Sequence, residues 1–104
     1  MAKLEQFRRE IPDPDDKPYI LIPDIAVEIV SPNDAYSEIA IKVRRYLKDG
    51  VQLVWVVDPQ VREIAIHQAG KQSPLILGDE DTLHAVPVLA DFSLPVSAIF
   101  GAAS

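Results

Sequence analysis

Apolar residues along the chain gather into two short, nearly continuous runs separated by a stretch of helical spacing. The first is Asp24-Ile25-Ala26-Val27-Glu28-Ile29-Val30, bounded by Pro23 and by Ser31-Pro32. Its β-branched content and proline borders predict a strand. Ile25, Val27 and Ile29 fall on one face and Ala26 and Val30 on the other, so the strand is covered on both sides. Glu28 interrupts the second face. A helix is predicted over residues 35–48, with Tyr36, Ile39, Ala40, Val43, Tyr46 and Leu47 forming one stripe. Ser31-Pro32-Asn33-Asp34 offers turn and N-cap chemistry before it, and Gly50 a left-handed cap after it. The second run, Leu53-Val54-Trp55-Val56-Val57, closes at Asp58-Pro59. Strand, helix, strand implies a parallel pair with a crossover connection. Residues 62–67 alternate like an antiparallel edge strand with one wet face. Residues 74–77 and 82–85 read as weaker strands, and 92–95 as a docked strand before one helical turn at 96–100. The opening residues 1–18 are polar and punctuated by proline, so residues 1–22 are expected to form an arm or loop. A short helix over 2–10 would be stopped by Pro12 and Pro14, and residues 19–22 would be a separate extended piece ending at Pro23.

Length and composition narrow the classes. With 104 residues and 48% hydrophobic content, the chain is one α/β domain with a modest core. The formal net charge is −6, and the basic residues cluster only at Arg8-Arg9 and at Lys42, Arg44, Arg45 and Lys48. A basic footprint supplies most of the affinity of nucleic-acid binders, so DNA is expected as a weak partner at most. There is no cysteine and there are only two histidines, His67 and His84, which excludes disulfides and makes a zinc centre a poor fit. No apolar run is long enough to span a membrane, and the charged N-terminus does not resemble a secretory signal. A cytoplasmic protein is expected.

Two residues stand out chemically. A carboxylate on an apolar central strand costs free energy unless it is paired, bound to a metal or placed at a strand end that reaches water, and Glu28 faces that choice. Lys42 lies roughly 60° from Ile39 and roughly 40° from Tyr46 on a helical wheel, at the border of the buried stripe. It either snorkels along the helix flank or aims its ammonium at the sheet, towards Glu28. Metal-assisted phosphodiester hydrolysis needs acidic oxygens on a divalent ion and gains from a lysine that orients water or offsets developing charge. Asp24 shares a strand face with Glu28, but four residues of extended chain hold their Cα atoms roughly 13 Å apart. Direct chelation of one Mg²⁺ by that pair is therefore excluded. Asp58, closing the next parallel strand, is the better second ligand by position, although an aspartate before proline is often only a turn residue.

The ordered set Pro23-Asp24-Ile25-Ala26-Val27-Glu28-Ile29-Val30-Ser31-Pro32, Lys42, Tyr46, Gly50-Val51, Val54-Trp55-Val56-Val57-Asp58-Pro59 resembles the Uma-two family of restriction-endonuclease-like proteins. Gly78-Asp79, Asp81-Thr82-Leu83, residues 88–96 and Ile99-Phe100 continue the match. The resemblance implies a PD-(D/E)XK fold: a restriction-endonuclease-like mixed sheet with a flanking helix and a β-α-β-β core, here over residues 23–104. It implies Mg²⁺-dependent cleavage of DNA, with Glu28 as the acid of the (D/E)XK element. Val30 stands where that element usually has lysine, and Lys42 on the following helix matches the family's lysine. Glu28, with Asp58 or Asp24, would be the metal ligands, and Glu28 and Lys42 the catalytic pair. The family's other aspartate lies on a strand before the Pro-Asp matched by Pro23-Asp24. Only 22 residues precede Pro23 here, so the fold is expected to be truncated at its N-terminus and the site to lack one acid. A homodimer or an upstream partner chain is the expected remedy. The rival reading is a non-catalytic interaction module on the same fold.

Overall fold

The two apolar runs become adjacent strands at the centre of a mixed sheet. A computed structural model describes the backbone of residues 3–11 and 20–101 and the side chains of residues 24–101. In chain order the elements are β1 (Lys3–Ile11), β2 (Ile20–Ile29), α1 (Tyr36–Lys48), β3 (Leu53–Asp58), β4 (Glu63–Gln68), β5 (Leu75–Leu77), β6 (Thr82–Ala85), β7 (Leu89–Pro95) and α2 (Val96–Phe100). The first five strands lie side by side in sequence order. Only β2 and β3 are parallel, as a helical crossover requires, and the other neighbours are antiparallel. β6 and β7 form a separate antiparallel pair.

Three expectations are corrected. Residues 3–11 are neither a loose arm nor a helix but a strand paired along β2. Pairing with β2 satisfies backbone groups that a free arm would leave to water. Residues 12–19 lie outside those described. The extended piece before Pro23 is not separate, because β2 runs through Pro23. That proline has no N–H to give the ladder, and β1 shifts register at Glu5/Phe7 and Phe7/Arg8, beside the Arg8↔Pro23 pair. β4 is also not the edge, since β5 pairs with it and takes that place.

Strand alternation divides the core into two layers. Ile25 and Val27 of β2, Leu53, Trp55 and Val57 of β3, and Ile64 of β4 face the β6–β7 pair and α2, burying Leu83, Ala85 and Val96. Trp55 packs on Phe92 at 5.8 Å between ring centroids, tilted by 37°. On the opposite face Ala26 and Val54 pack beneath Ile39 and Val43 of α1, with Val51 closing the end. At one corner Arg62, in the β3–β4 turn at φ 53°, donates through Nε and Nη2 to Asp79 at 2.7 and 2.8 Å. Its guanidinium also donates to the Gly101 carbonyl at 2.9 Å and stacks on the Phe100 ring. The pairing holds the Asp79 carboxyl below the usual carboxylate range and pushes Arg62 up.

Candidate active site

The placement of α1 decides what Glu28 meets. The helix ends in a Schellman arrangement: Val51 N–H donates to Tyr46 O at 3.0 Å and Gly50 N–H to Leu47 O at 3.2 Å, with Gly50 at φ 104°. Val51 is buried beside Val43, which fixes the last turn on the sheet. At the other end the capping expectation changes. Ala35 is the N-cap and has no side-chain cap. Asp34 instead caps the preceding turn, its Oδ2 accepting Ser31 N–H at 2.9 Å. That bond, aided by the charge of Lys42 among smaller causes, holds the Asp34 carboxyl below its ordinary value. Tyr36, expected on the buried stripe, is 89% exposed. It opens the helix, in the first turn.

Alternation turns Glu28 to the α1 side, where it is buried at 2% exposure. Tyr46 Oη donates to Glu28 Oε1 at 2.6 Å, at the short end for an O–H···O bond. Glu28 Oε2 is buried too and accepts no hydrogen bond among the described residues. A buried carboxylate oxygen left without a donor costs free energy, so this atom is chemically conspicuous. Lys42 is half-buried one helical turn before Tyr46, on the same flank. It makes no hydrogen bond or ion pair among the described residues, so Glu28 and Lys42 share a side of the sheet without touching directly.

The other acids are not drawn in. Glu28 pairs across the parallel ladder with Val56, which puts the Cα of Asp58 about 8 Å from that of Glu28. Asp58 Oδ1 accepts Gln60 N–H at 3.0 Å, so this aspartate serves the turn. Asp24 lies in the middle of β2, four residues before Glu28. Among the described residues no group of three or more His, Asp or Glu is placed to hold a metal ion. Glu28 Oε2 suits a cation as a single ligand, but the described residues do not complete a set. Two neighbours of Glu28 escaped the sequence reading. Tyr46 was legible as a stripe residue and as part of the family resemblance, but not as the donor to Glu28. Lys3 stands opposite Glu28 in the β1–β2 backbone register, hidden by the expectation of an arm.

On the opposite flank of α1 a groove of about 660 Å³ runs between Tyr36, Ala40, Arg44 and Leu47 of the helix and Ala65, His67 and Ile76 of the sheet. Burial pushes the His67 imidazole below its ordinary value. The neutral ring is thus favoured by folding, and the unfolded chain binds the proton more readily. Stability is full above about pH 6.5, the unfolded value, and falls as pH drops through that value towards the lowered folded one. Urea midpoints measured between pH 7.5 and 5.5 should decline in the wild type and decline less in His67→Gln. Equal slopes would remove His67 as the cause.

The comparisons with known proteins agree with this architecture. The model of the Uma-two family, described as "Putative restriction endonuclease", matches residues 2–97, starting well before Pro23. A crystal structure described as "a putative nuclease belonging to DUF820", from Anabaena variabilis ATCC 29413, shares the fold with TM-score 0.68 at 22% identity. The match covers 85% of this chain and 51% of that one, so the chain spans about half the length of that protein. No curated protein matches the chain.

Proposed function

The chain belongs to the Uma-two family of restriction-endonuclease-like proteins, and on that premise we propose that it carries one half of a phosphodiester-hydrolysing site on DNA. The observation that supports this is the buried, undonated Oε2 of Glu28. Tyr46 holds Oε1 and so turns Oε2 towards whatever binds there. A divalent cation, Mg²⁺ by family likeness, would supply Lewis-acid polarisation of the phosphate. Glu28 is its ligand in this chain, and Lys42 orients water or offsets charge on the phosphate. Asp58 and Asp24 are left with at most water-mediated contributions. The second acid comes from the β1 side of the sheet, one strand away from Glu28, supplied by a segment beyond the described residues or by another chain.

The rival reading, a non-catalytic module, gains from the net charge of −6, which opposes approach of a polyanion. Two measurements separate them. Titration with Mn²⁺ should show weak binding by the wild type that Glu28→Gln abolishes, while undiminished binding by the variant would sink the site assignment. Incubated alone with plasmid and Mg²⁺ or Mn²⁺, the chain should nick little or none, because one carboxylate beside a lysine holds Mg²⁺ poorly. Metal-dependent nicking by the wild type, lost in both Glu28→Ala and Lys42→Ala, would show instead that the half-site suffices.

A further inference from the structure

The groove on the far flank of α1 has a charge pattern that the proposed nuclease site does not use. Alternation and register set its layout. Val56↔Ala65 and Asp58↔Glu63 pair across β3 and β4, and Ala65↔Ile76 across β4 and β5, all on the α1 side. The floor is therefore small and apolar in the middle. One end is acidic: Asp58 and Glu63 stand directly opposite each other, an unfavourable pairing of like charges, with Asp34 nearby on the rim. The other end, about 17 Å further along β4 and beyond, carries Lys71, with Arg44 on the helix wall between. Among the described residues neither Lys71, Arg44 nor Glu63 has an ion-pair partner. Apolar side chains are open to water along the groove: Tyr36 is 89% exposed, Val61 59% and Ile76 52%.

We infer that this groove is an interface for a second copy of the same chain, joined groove to groove about a twofold axis near Ala65 and Ile76. A twofold contact must be self-complementary, and a surface acidic at one end and basic at the other meets that condition when the copies run antiparallel. Each acidic pair, Asp58 and Glu63, then faces the other copy's Lys71 and Arg44, which relieves the like-charge pairing. The ring of Tyr36 leaves water against Pro74 and His67 of the other copy. Aromatic anchors of this kind carry most of the affinity in such interfaces. α1 has the same polarity, with Glu38 in its first turn and Arg45 and Lys48 in its last, so antiparallel helices add to the attraction. The groove lies on the opposite helix flank from Tyr46 and Lys42, so this pairing does not depend on the nuclease reading.

The test is sedimentation equilibrium of the full chain over a wide concentration range, with circular dichroism to confirm that each variant is folded. The wild type should show a monomer–dimer equilibrium that weakens with salt. Tyr36→Ala and Glu63→Lys should each weaken it about tenfold or more. Glu63→Lys combined with Lys71→Glu should restore it, because every reversed charge again meets its opposite. A wild type that stays monomeric at all concentrations overturns the inference and leaves the groove to a different molecule. A dimer indifferent to Tyr36→Ala and Glu63→Lys overturns it as well.

Discussion

Replacing Glu28 with leucine should stabilise the domain, and replacing Tyr46 with phenylalanine should destabilise it. The two residues form one buried hydrogen bond, yet the costs on either side of it are unequal. Glu28 brings two carboxylate oxygens into an apolar layer and has one of them without a donor. A leucine of similar volume beside Ala26, Val54 and Val43 removes that desolvation, and exchanges of buried ionic groups for apolar ones gain about 1–4 kcal/mol. Removing only the Tyr46 hydroxyl leaves Oε1 stranded as well, at about 1–3 kcal/mol. Thermal unfolding followed by circular dichroism reads both signs. A fall in Tm for Glu28→Leu would mean that the carboxylate is held by more than Tyr46, and the idea that it is kept for chemistry at the expense of stability would fail.

The second large effect lies on the other face. Leu83→Ala should cost about 2–5 kcal/mol, the usual range for emptying a packed leucine site, and lower Tm by about 10 °C or more in a domain of this size. Leu83 is 2% exposed and shares its cluster with Ile25, Trp55 and Val96. It is a principal link between the β6–β7 pair and the main sheet. Trp55 fluorescence follows the loss directly. A change of only a degree or two would show that the β6–β7 layer unfolds independently of the sheet.

The central βαβ unit was readable because each of its features has a local cause. Two β-branched runs, a stripe at helical spacing and a glycine at the required positive φ all point the same way. The parity that set Glu28 apart from Ile25 and Val27 also held, because a strand cannot change faces without a bulge. What could not be read depends on distant partners. Residues 3–11 carry too many charges to announce a strand, and their pairing comes from the free edge of β2. Tyr36 fits the stripe by spacing but stands in the opening turn of the helix, exposed to water. Asp58 was well placed by strand geometry, and its orientation was decided by the turn at Gln60. The Tyr46–Glu28 bond needed the height of one element over another, which periodicity does not encode.

Arg62 has a consequence for the order in which the molecule is completed during synthesis. α2 is five residues long and has no side-chain cap at its N-terminus. Its final carbonyls are met by a guanidinium from the β3–β4 turn, 39 positions before Gly101, a favourable place for a cation. So short a helix does not persist by itself. On the ribosome the β2–α1–β3–β4 unit has its local contacts in hand long before α2 emerges. The Arg62 contacts with α2 can be made only once the chain has been extended past residue 100, so the docking of α2 comes after the rest of the second layer is available.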